Sequence, residues 1–373
     1  MRVKSYVPLL KLAPILAWFA ALFLITKDPV RFFIDLASFY SFYLMLSISL
    51  NLEYGCTGIP NFGKVMFFAG GAFVTGALTA RLIAPLAGVS GMFLAHYKLY
   101  NVIVGTQVSA FFSHRVDVAM ATFVLMLVLA AAVGAALGWA ASYPAIRLRE
   151  DYLAMTLIVT GELLRIIARN YDPLICGTIG VSVPDPFYWL SGLPHDLLRT
   201  SIMLAIAFST WALVDALAKS PFGRMIRAIR ENELAAESFG KDVIKVRMKV
   251  LMVGSAIAGV AGALYAFYSG TVQADDFMPI KTFIVWVMVI LGGAGNNKGA
   301  ALGALTYLAL DRTIVLLKGY VSAPFDINNL SYVALGVALI LVLMYKPEGL
   351  IPEKPFISGT SRRRSRTSDQ ENP

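Results

Sequence analysis

Residues 247–269, RMKVLMVGSAIAGVAGALYAFYS, are the stretch that decides the fold. After Lys249 this stretch continues for 20 residues without a charge. About 20 apolar residues in helical conformation cross a hydrocarbon core roughly 30 Å thick. Gly254, Ala258 and Gly262 recur every fourth residue, a spacing that lets helices pack closely in lipid. The stretch therefore predicts a membrane-spanning helix that packs tightly against its neighbours.

Similar apolar blocks recur along the whole chain. Of its 373 residues, 58% are hydrophobic and 15% charged, whereas soluble domains carry about 25% charged residues. The blocks lack the in–out alternation of membrane strands, and helices satisfy their own backbone groups in lipid. We therefore predict an all-α, polytopic transmembrane bundle of about ten spans. The predicted spans are 7–26, 32–50, 59–82, 118–141, 152–169, 200–217, 247–269, 282–295, 299–317 and 330–345.

The distribution of basic residues predicts the orientation. With both termini cytoplasmic, the inner segments hold 19 Lys and Arg residues and the outer loops hold seven, which fits the positive-inside rule. The expected domains are a transmembrane unit over 1–357, with an inner loop at 218–249, and a disordered basic cytoplasmic tail at 358–373. The block at 7–26 is too long for a signal-peptide core and is expected to remain as a span.

Two predicted spans should be irregular, and two outer segments should be loops. Span 59–82 has Pro60 as its second residue, and span 282–295 is short and ends in a glycine-rich run, so either could be broken or cross only halfway. The outer segments 83–117 and 170–199 are expected to be long loops, and the prolines of the second argue against a long helix there.

Composition excludes several classes of function. The net charge of +9 comes from basic residues between and after the apolar blocks, which indicates topology and lipid contacts rather than nucleic-acid binding. Cys56 and Cys176 are the only cysteines, so neither a disulfide framework nor a metal cluster is expected. The chain has no G-x-x-x-x-G-K-[ST] motif, and it therefore cannot bind ATP by that route.

The inner loop 218–249 is longer than a turn between two spans requires. Ser220 and Pro221 suit the cap and first position of a helix whose apolar side includes Ile226 and Ile229. A second short helix is predicted from Glu231 to Phe239, with Gly240 as its C-cap. Taken alone, such a charged run is most often a solvated loop.

Several motifs together resemble one transporter family. Residues 233–240, ELAAESFG, resemble the EAA-type loop of ABC importer permeases, although the downstream Leu-Pro of some importers is missing. Further stretches are similar to the branched-chain amino acid permease family, with urea and amide permeases as close relatives. These stretches are 58–63, 147–154, 161–162, 220–233, 258–265, 291–295 and 346–350.

The resemblance implies a membrane subunit that carries branched-chain or other apolar amino acids inward. It implies a second related permease, two cytoplasmic ATPases that hydrolyse ATP and an external binding protein as partners, with no cofactor and no catalysis in this chain. The helix at 231–241 would dock on an ATPase, and the residues implied in this coupling are Glu231, Glu233, Ala235, Ala236, Glu237 and Gly240. The location implied is the cell membrane.

Polar residues inside spans are the candidates for lining the path, since they are costly in lipid. Asn51, Asn61, Thr160, Glu162 and Asn296 are predicted to line it. Glu53, Thr57, Lys64 and Asn297 are further polar candidates. Glu162 is interpreted as the deepest carboxylate, paired with Arg165 one helical turn away. Asn51, Glu53, Asn61 and Lys64 are placed at an inner interface.

Other functions remain open at this point. Urea or short-chain amide import is the nearest alternative. A stand-alone ion-coupled transporter would favour paired acids at mid-bilayer and broken helices in both halves. An intramembrane enzyme is the least favoured, since no catalytic constellation is evident in the sequence.

Overall fold

The computed structural model describes most of the chain. It covers Thr26, residues 28–147 and 150–317, five positions between 333 and 341, and residues 344–353. The predicted span 7–26, apart from Thr26, most of the span 330–345 and the tail 358–373 lie outside the described residues.

The described residues are mostly helical with almost no strand, which confirms the all-α prediction. The helices are α1 Pro29–Leu50, α2 Lys64–Ile83, α3 Gly91–Ala95, α4 Tyr97–His114, α5 Val116–Arg147, α6 Glu150–Asn170, α7 Asp172–Ile175, α8 Leu193–Lys219, α9 Pro221–Glu231, α10 Glu233–Ser238, α11 Val243–Ser269, α12 Ile280–Gly292 and α13 Asn297–Leu317. A π-helical turn, Asn51–Gly55, extends α1, and a 3₁₀ turn covers Ala274–Phe277. Two-residue strands, β1 Val181–Ser182 and β2 Thr271–Val272, pair antiparallel.

Within the described residues, five helical segments are long and apolar enough to cross a membrane. They are Pro29–Gly55, Lys64–Ile83, Val116–Pro144, Leu193–Lys219 and Val243–Ser269. Helix α11 is central and packs against α5, α2 and α1. Side chains at Gly259 and Gly262 would collide with the backbone of α5 and α2, respectively. The small residues of α11 therefore permit the close packing that the sequence predicts.

The loop predicted at 83–117 is largely helical, so that prediction was wrong. Helix α4 covers 18 of its residues. Val104, Val108 and Phe112 lie four residues apart on one face of α4 and are completely buried. That periodicity was the overlooked signal, because His96, Lys98 and His114 made the segment look polar as a whole.

The segment 170–199 is irregular over most of its length, as predicted. Only α7 and β1 interrupt it before α8. Helix α8 begins at Leu193, seven residues before the predicted start, and Pro194 lies in its first turn, where no backbone donor is needed.

Both predicted irregular spans are broken close to one end of the bundle. The chain is not helical from Cys56 to Gly63, and α2 begins only at Lys64. Helix α12 has 13 residues, about 20 Å at 1.5 Å per residue, which is short for a full crossing. A non-helical turn follows it before α13. We call this end the hairpin end, because α9 and α10 lie there, and the opposite end, with β1 and β2, the sheet end.

Candidate functional site

A buried ion pair stands at the break between α1 and α2. Lys64 Nζ lies 2.8 and 2.9 Å from the two carboxylate oxygens of Glu53, and it also donates to the Gly254 carbonyl at 3.2 Å. Both side chains have 0% exposure. A lysine ammonium has three protons, and these three acceptors match them. The pair is therefore both sealed from solvent and hydrogen-bonded.

Asn61, in the non-helical segment, completes the surroundings of the carboxylate. Its Nδ2 donates to Glu53 at 2.8 Å, and its Oδ1 accepts from the Gly63 backbone at 3.0 Å. The indole of Trp286 donates to the Asn61 carbonyl at 3.1 Å and stacks on Phe62 with 4.3 Å between ring centroids. The irregular backbone is thus held in protein, which is where such backbone is tolerated at membrane depth.

Asn51 links this break to the one between α12 and α13. Its Oδ1 accepts from Gly295 N at 2.8 Å, and its Nδ2 donates to Asn297 Oδ1 at 2.8 Å. Asn51 is fully buried and Asn297 nearly so. We call Asn51, Glu53, Asn61, Lys64 and Asn297 the polar network.

The ion pair is buried where α1 ends and α2 begins, against the middle of α11. Gly254, which accepts from Lys64, is eleven residues into α11, about 17 Å along the helix from its hairpin end. A Cβ at Gly254 would overlap the Glu53 carboxylate. This glycine therefore makes room for a buried charge, a role that helix packing alone did not predict. The sequence placed Glu53 and Lys64 at an inner interface, and that placement relative to the membrane stays a prediction.

Glu162 is less buried than Glu53, and its depth in the membrane stays a prediction. Its side chain is 32% exposed, whereas Glu53 is sealed. The predicted pairing with Arg165 is confirmed at 2.5 Å, and Arg165 also contacts Asp275 in the 3₁₀ turn at 2.5 Å. The Thr160 hydroxyl donates to the Thr156 carbonyl of its own helix. Neither Thr160 nor Glu162 has a hydrogen bond to the polar network in the described part of the chain.

The two remaining predicted residues, Asn296 and Thr57, make their side-chain hydrogen bonds outside the polar network. Asn296 is half-buried and donates to the Pro352 carbonyl at 3.1 Å, so it faces the C-terminal part of the chain. Thr57 is buried and donates to the Leu52 carbonyl within the break.

Helix α9 has the predicted cap and apolar side. The Ser220 hydroxyl accepts from Gly223 N at 3.3 Å, Pro221 is the first helical residue, and Ile226 and Ile229 are buried. Arg230 donates to the Gly55 carbonyl at the end of the π-helical turn. The apolar side of α9 thus docks the helix on the bundle next to the polar network.

Helix α10 is shorter than predicted. Asn232 is extended and caps it by accepting from Ala235 N at 3.0 Å, so Glu231 is the last residue of α9 and not the first of α10. The predicted turn at Gly240 has a left-handed φ of +71°, which glycine adopts without strain. Among the predicted coupling residues, Ala236 is buried, whereas Glu231, Ala235, Glu237 and Gly240 are exposed.

One ion pair fastens α10 to the start of α11. Both carboxylate oxygens of Glu233 lie 3.0 Å from Arg247 nitrogens. Asp242 caps α11. A hydrogen bond from the Lys245 backbone N–H, and a weaker contribution from the Lys245 side chain, hold the pKa of the Asp242 carboxyl below its usual value. The hairpin is therefore joined to the span that also contains Gly254.

Two exposed apolar side chains lie in α10 and directly after it, and the sequence reasoning did not single them out. Leu234 is 76% exposed and Phe239 is 82% exposed. The signal was present, because both are large apolar residues within an otherwise charged segment. Exposed apolar groups on a polar surface are candidates for a contact with another protein or with lipid.

Comparison with known proteins gives the family. The family described as the branched-chain amino acid transport system permease component matches residues 32–343. The probable branched-chain amino acid transport permease LivM of Methanocaldococcus jannaschii is 37% identical over 87% of this chain and 96% of its own length. LivM of Escherichia coli is 26% identical over 86% of this chain and 70% of its own length. LivH of the same organism is 24% identical over 83% and 91%.

No solved structure matches the chain. The family match covers most of the sequence, and the five apolar helices make the protein an integral membrane protein. The protein belongs to the family of permease components of branched-chain amino acid transport systems.

Proposed function

We propose that this chain is the permease subunit of an ATP-driven ABC importer that carries branched-chain amino acids into the cell. The observation that carries the proposal is the family match over residues 32–343, together with relatives named for branched-chain amino acid transport. The cargo is inferred from those names. Urea or a short-chain amide is the alternative cargo that an assay has to separate.

The energy enters through the α9–α10 hairpin. Leu234 and Phe239 present an apolar surface at the hairpin end, and Glu237 and Gly240 lie exposed beside it. An ATPase groove that covers the two apolar side chains would gain about 1.5–3 kcal/mol for each fully buried group. Ala235 and Ala236 are small and let the two surfaces approach closely, while Glu231 and Glu233 add charge at the start of α10.

This function requires partners. We infer two cytoplasmic ATPases that hydrolyse ATP, a second related permease and an external binding protein that delivers the cargo. The similarity of this chain to both LivM and LivH of one organism supports pairing between related permeases. The hairpin and both termini are then cytoplasmic, and this chain binds no cofactor of its own.

The polar network closes the path at the hairpin end. Asn51 and Asn61 are fully buried and hydrogen-bonded, so we assign them to the closed gate rather than to a surface that contacts cargo in this conformation. Thr160 and Glu162 belong to a second polar region on α6, and Asn296 connects the gate to the C-terminal part.

Reconstitution in proteoliposomes tests the function. With the ATPases, the second permease and the binding protein present, uptake of labelled leucine should require ATP, and excess isoleucine or valine should compete where urea and acetamide do not. The chain alone in a sodium or proton gradient should take up nothing. Gradient-driven uptake by the chain alone would establish the stand-alone transporter instead.

A charge reversal tests the coupling surface. Glu237→Lys should abolish ATP-driven uptake while the protein still inserts, because the reversed charge lies beside the proposed ATPase contact. Asp117→Lys is the matched control, an exposed acid of α5 whose reversal should leave uptake within about twofold. Normal uptake by Glu237→Lys would remove α10 from the mechanism.

Labelling tests the orientation. Phe239→Cys adds an exposed thiol, whereas Cys56 and Cys176 are buried. In intact cells that express the chain without the ATPases, an impermeant maleimide should leave residue 239 unlabelled, and labelling should appear once the membrane is opened. Labelling in intact cells would place the hairpin outside and contradict the proposed function.

A further inference from the structure

Residues 346–353, which we call the return segment, follow the last predicted span and pack against the end of α12. Leu350 N donates to the Leu291 carbonyl, and Ile351 N donates to the Gly292 carbonyl, both at 2.9 Å. The last carbonyls of a helix have no partner within the helix. The return segment supplies these partners and so terminates α12.

The contact between the return segment and the turn after α12 is backbone against backbone. Gly293 and Gly349 both have left-handed φ values, +112° and +75°. A Cβ on Gly349 would lie 2.5 Å from the Gly293 Cα, and Asn296 donates to the Pro352 carbonyl at 3.1 Å. The return segment therefore cannot shift without moving residues 293–296, which we call the glycine turn.

Glu353 joins the return segment to α9. Its carboxylate lies 2.9 Å from Arg230 and 3.6 Å from Arg227. On its other side, a Cβ on Gly295 would lie 2.6 Å from a Glu353 oxygen. Glu353 thus fills the space between two arginines of the hairpin and the glycine turn.

The glycine turn is bonded in turn to the polar network. Gly295 N donates to Asn51 at 2.8 Å, and Asn51 donates to Asn297 at 2.8 Å. A continuous line of contacts thus runs from α9 through Glu353 and the glycine turn to Asn51. A second connection runs from Arg230 to the Gly55 carbonyl.

We propose that the return segment transmits the movement of the hairpin to the polar network, with Glu353 as the positioning residue at the joint. Glu353 contacts neither the proposed ATPase surface nor the interior of the ion pair. It keeps the glycine turn in contact with α9 when the ATPases move the hairpin, so that the two move together. The inference rests on the proposed function, since it needs a hairpin that an ATPase moves.

The test compares Glu353→Gln with Glu348→Gln in the reconstituted full complex. Glu348 is an exposed acid of the same return segment and receives the same chemical change. Assembly is measured by copurification of the ATPases, and the readout is the number of leucine molecules taken up per ATP hydrolysed. Loss of one charge-assisted joint should lower this ratio about tenfold in Glu353→Gln and leave it within about twofold in Glu348→Gln.

The outcomes separate this inference from the proposed function. An unchanged ratio in Glu353→Gln, with uptake still abolished by Glu237→Lys, overturns the inference and leaves the proposed function standing. Normal uptake by Glu237→Lys together with an unchanged ratio in Glu353→Gln overturns both this inference and the proposed coupling through α10. If Glu353→Gln does not assemble, Arg227→Gln is read in the same assay, and a lowered ratio supports the joint. An unchanged ratio in Arg227→Gln, or failed assembly of both Glu353→Gln and Arg227→Gln, would give the Glu353–arginine contact a purely structural role and overturn the inference.

Discussion

The polar network and the α9–α10 hairpin are organised in opposite ways. In the network, Lys64 and Glu53 are charged, completely buried and matched with partners. In the hairpin, Leu234 and Phe239 are apolar and mostly exposed, on a charged surface. The network thus buries charged side chains, and the hairpin exposes apolar side chains to water. Either arrangement is energetically unfavourable for an isolated chain.

The difference separates what holds the fold from what meets a partner. A buried ion pair constrains its neighbours, because removing one charge leaves the other unpaired in a medium of low polarity. Exposed apolar side chains contribute little to the stability of the chain that carries them. Changes in the network should therefore unfold the protein, whereas changes on the hairpin surface should leave it folded and uncouple it.

The largest effect is expected from Lys64→Met. It leaves the Glu53 carboxylate buried with only Asn61 as a donor from the network, which should cost about 3–5 kcal/mol in the free energy of unfolding. Thermal unfolding of the purified protein in detergent measures it. The double variant Glu53→Gln/Lys64→Met removes both charges and should recover a substantial part of that loss. Equal destabilisation of the single and double variants would mean that the charge pairing is not what holds this region.

A smaller loss is expected from Gly254→Ala. The added Cβ overlaps the Glu53 carboxylate, and overpacking of this kind costs about 1–3 kcal/mol. Gly91→Ala is the matched control, because a Cβ there meets no atom within 4 Å and its backbone is not left-handed. The same unfolding assay compares the two. If Gly254→Ala is as stable as Gly91→Ala, the carboxylate has room to move and the ion pair is less rigid than its geometry indicates.

Features with a strong local pattern were predictable from the sequence. The uncharged length of 250–269 predicted a span, and Ser220-Pro221 with Ile226 and Ile229 predicted α9 and its buried face. Both are confirmed. Helix α4 was missed because its buried face, which includes Val104, Val108 and Phe112, lies among charged and polar residues that made the segment look like a loop.

The arrangement of the polar residues was not predictable to the same degree. Lys64 and Glu53 are eleven positions apart on either side of a non-helical segment, so no helical spacing marks them as partners. Asn51 and Gly295 are 244 positions apart, and their contact depends on how two helix breaks meet. Glu162 and Arg165, by contrast, are three residues apart on one helix, and that pairing could be predicted.

The smallest effect on stability and the clearest effect on coupling should come from Phe239→Ser. The side chain is 82% exposed, so its loss should change the free energy of unfolding by less than about 0.5 kcal/mol. The same change removes one of the two apolar groups offered to the ATPase and should weaken copurification of the ATPases with the permease. Met92→Ser, an exposed apolar residue of α3, controls for the loss of a surface side chain away from the hairpin. Unchanged ATPase binding in Phe239→Ser would show that exposure at the hairpin does not mark the docking surface. A strongly destabilised variant would show that Phe239 packs within the chain, and the contrast between the two regions would then fail on the hairpin side.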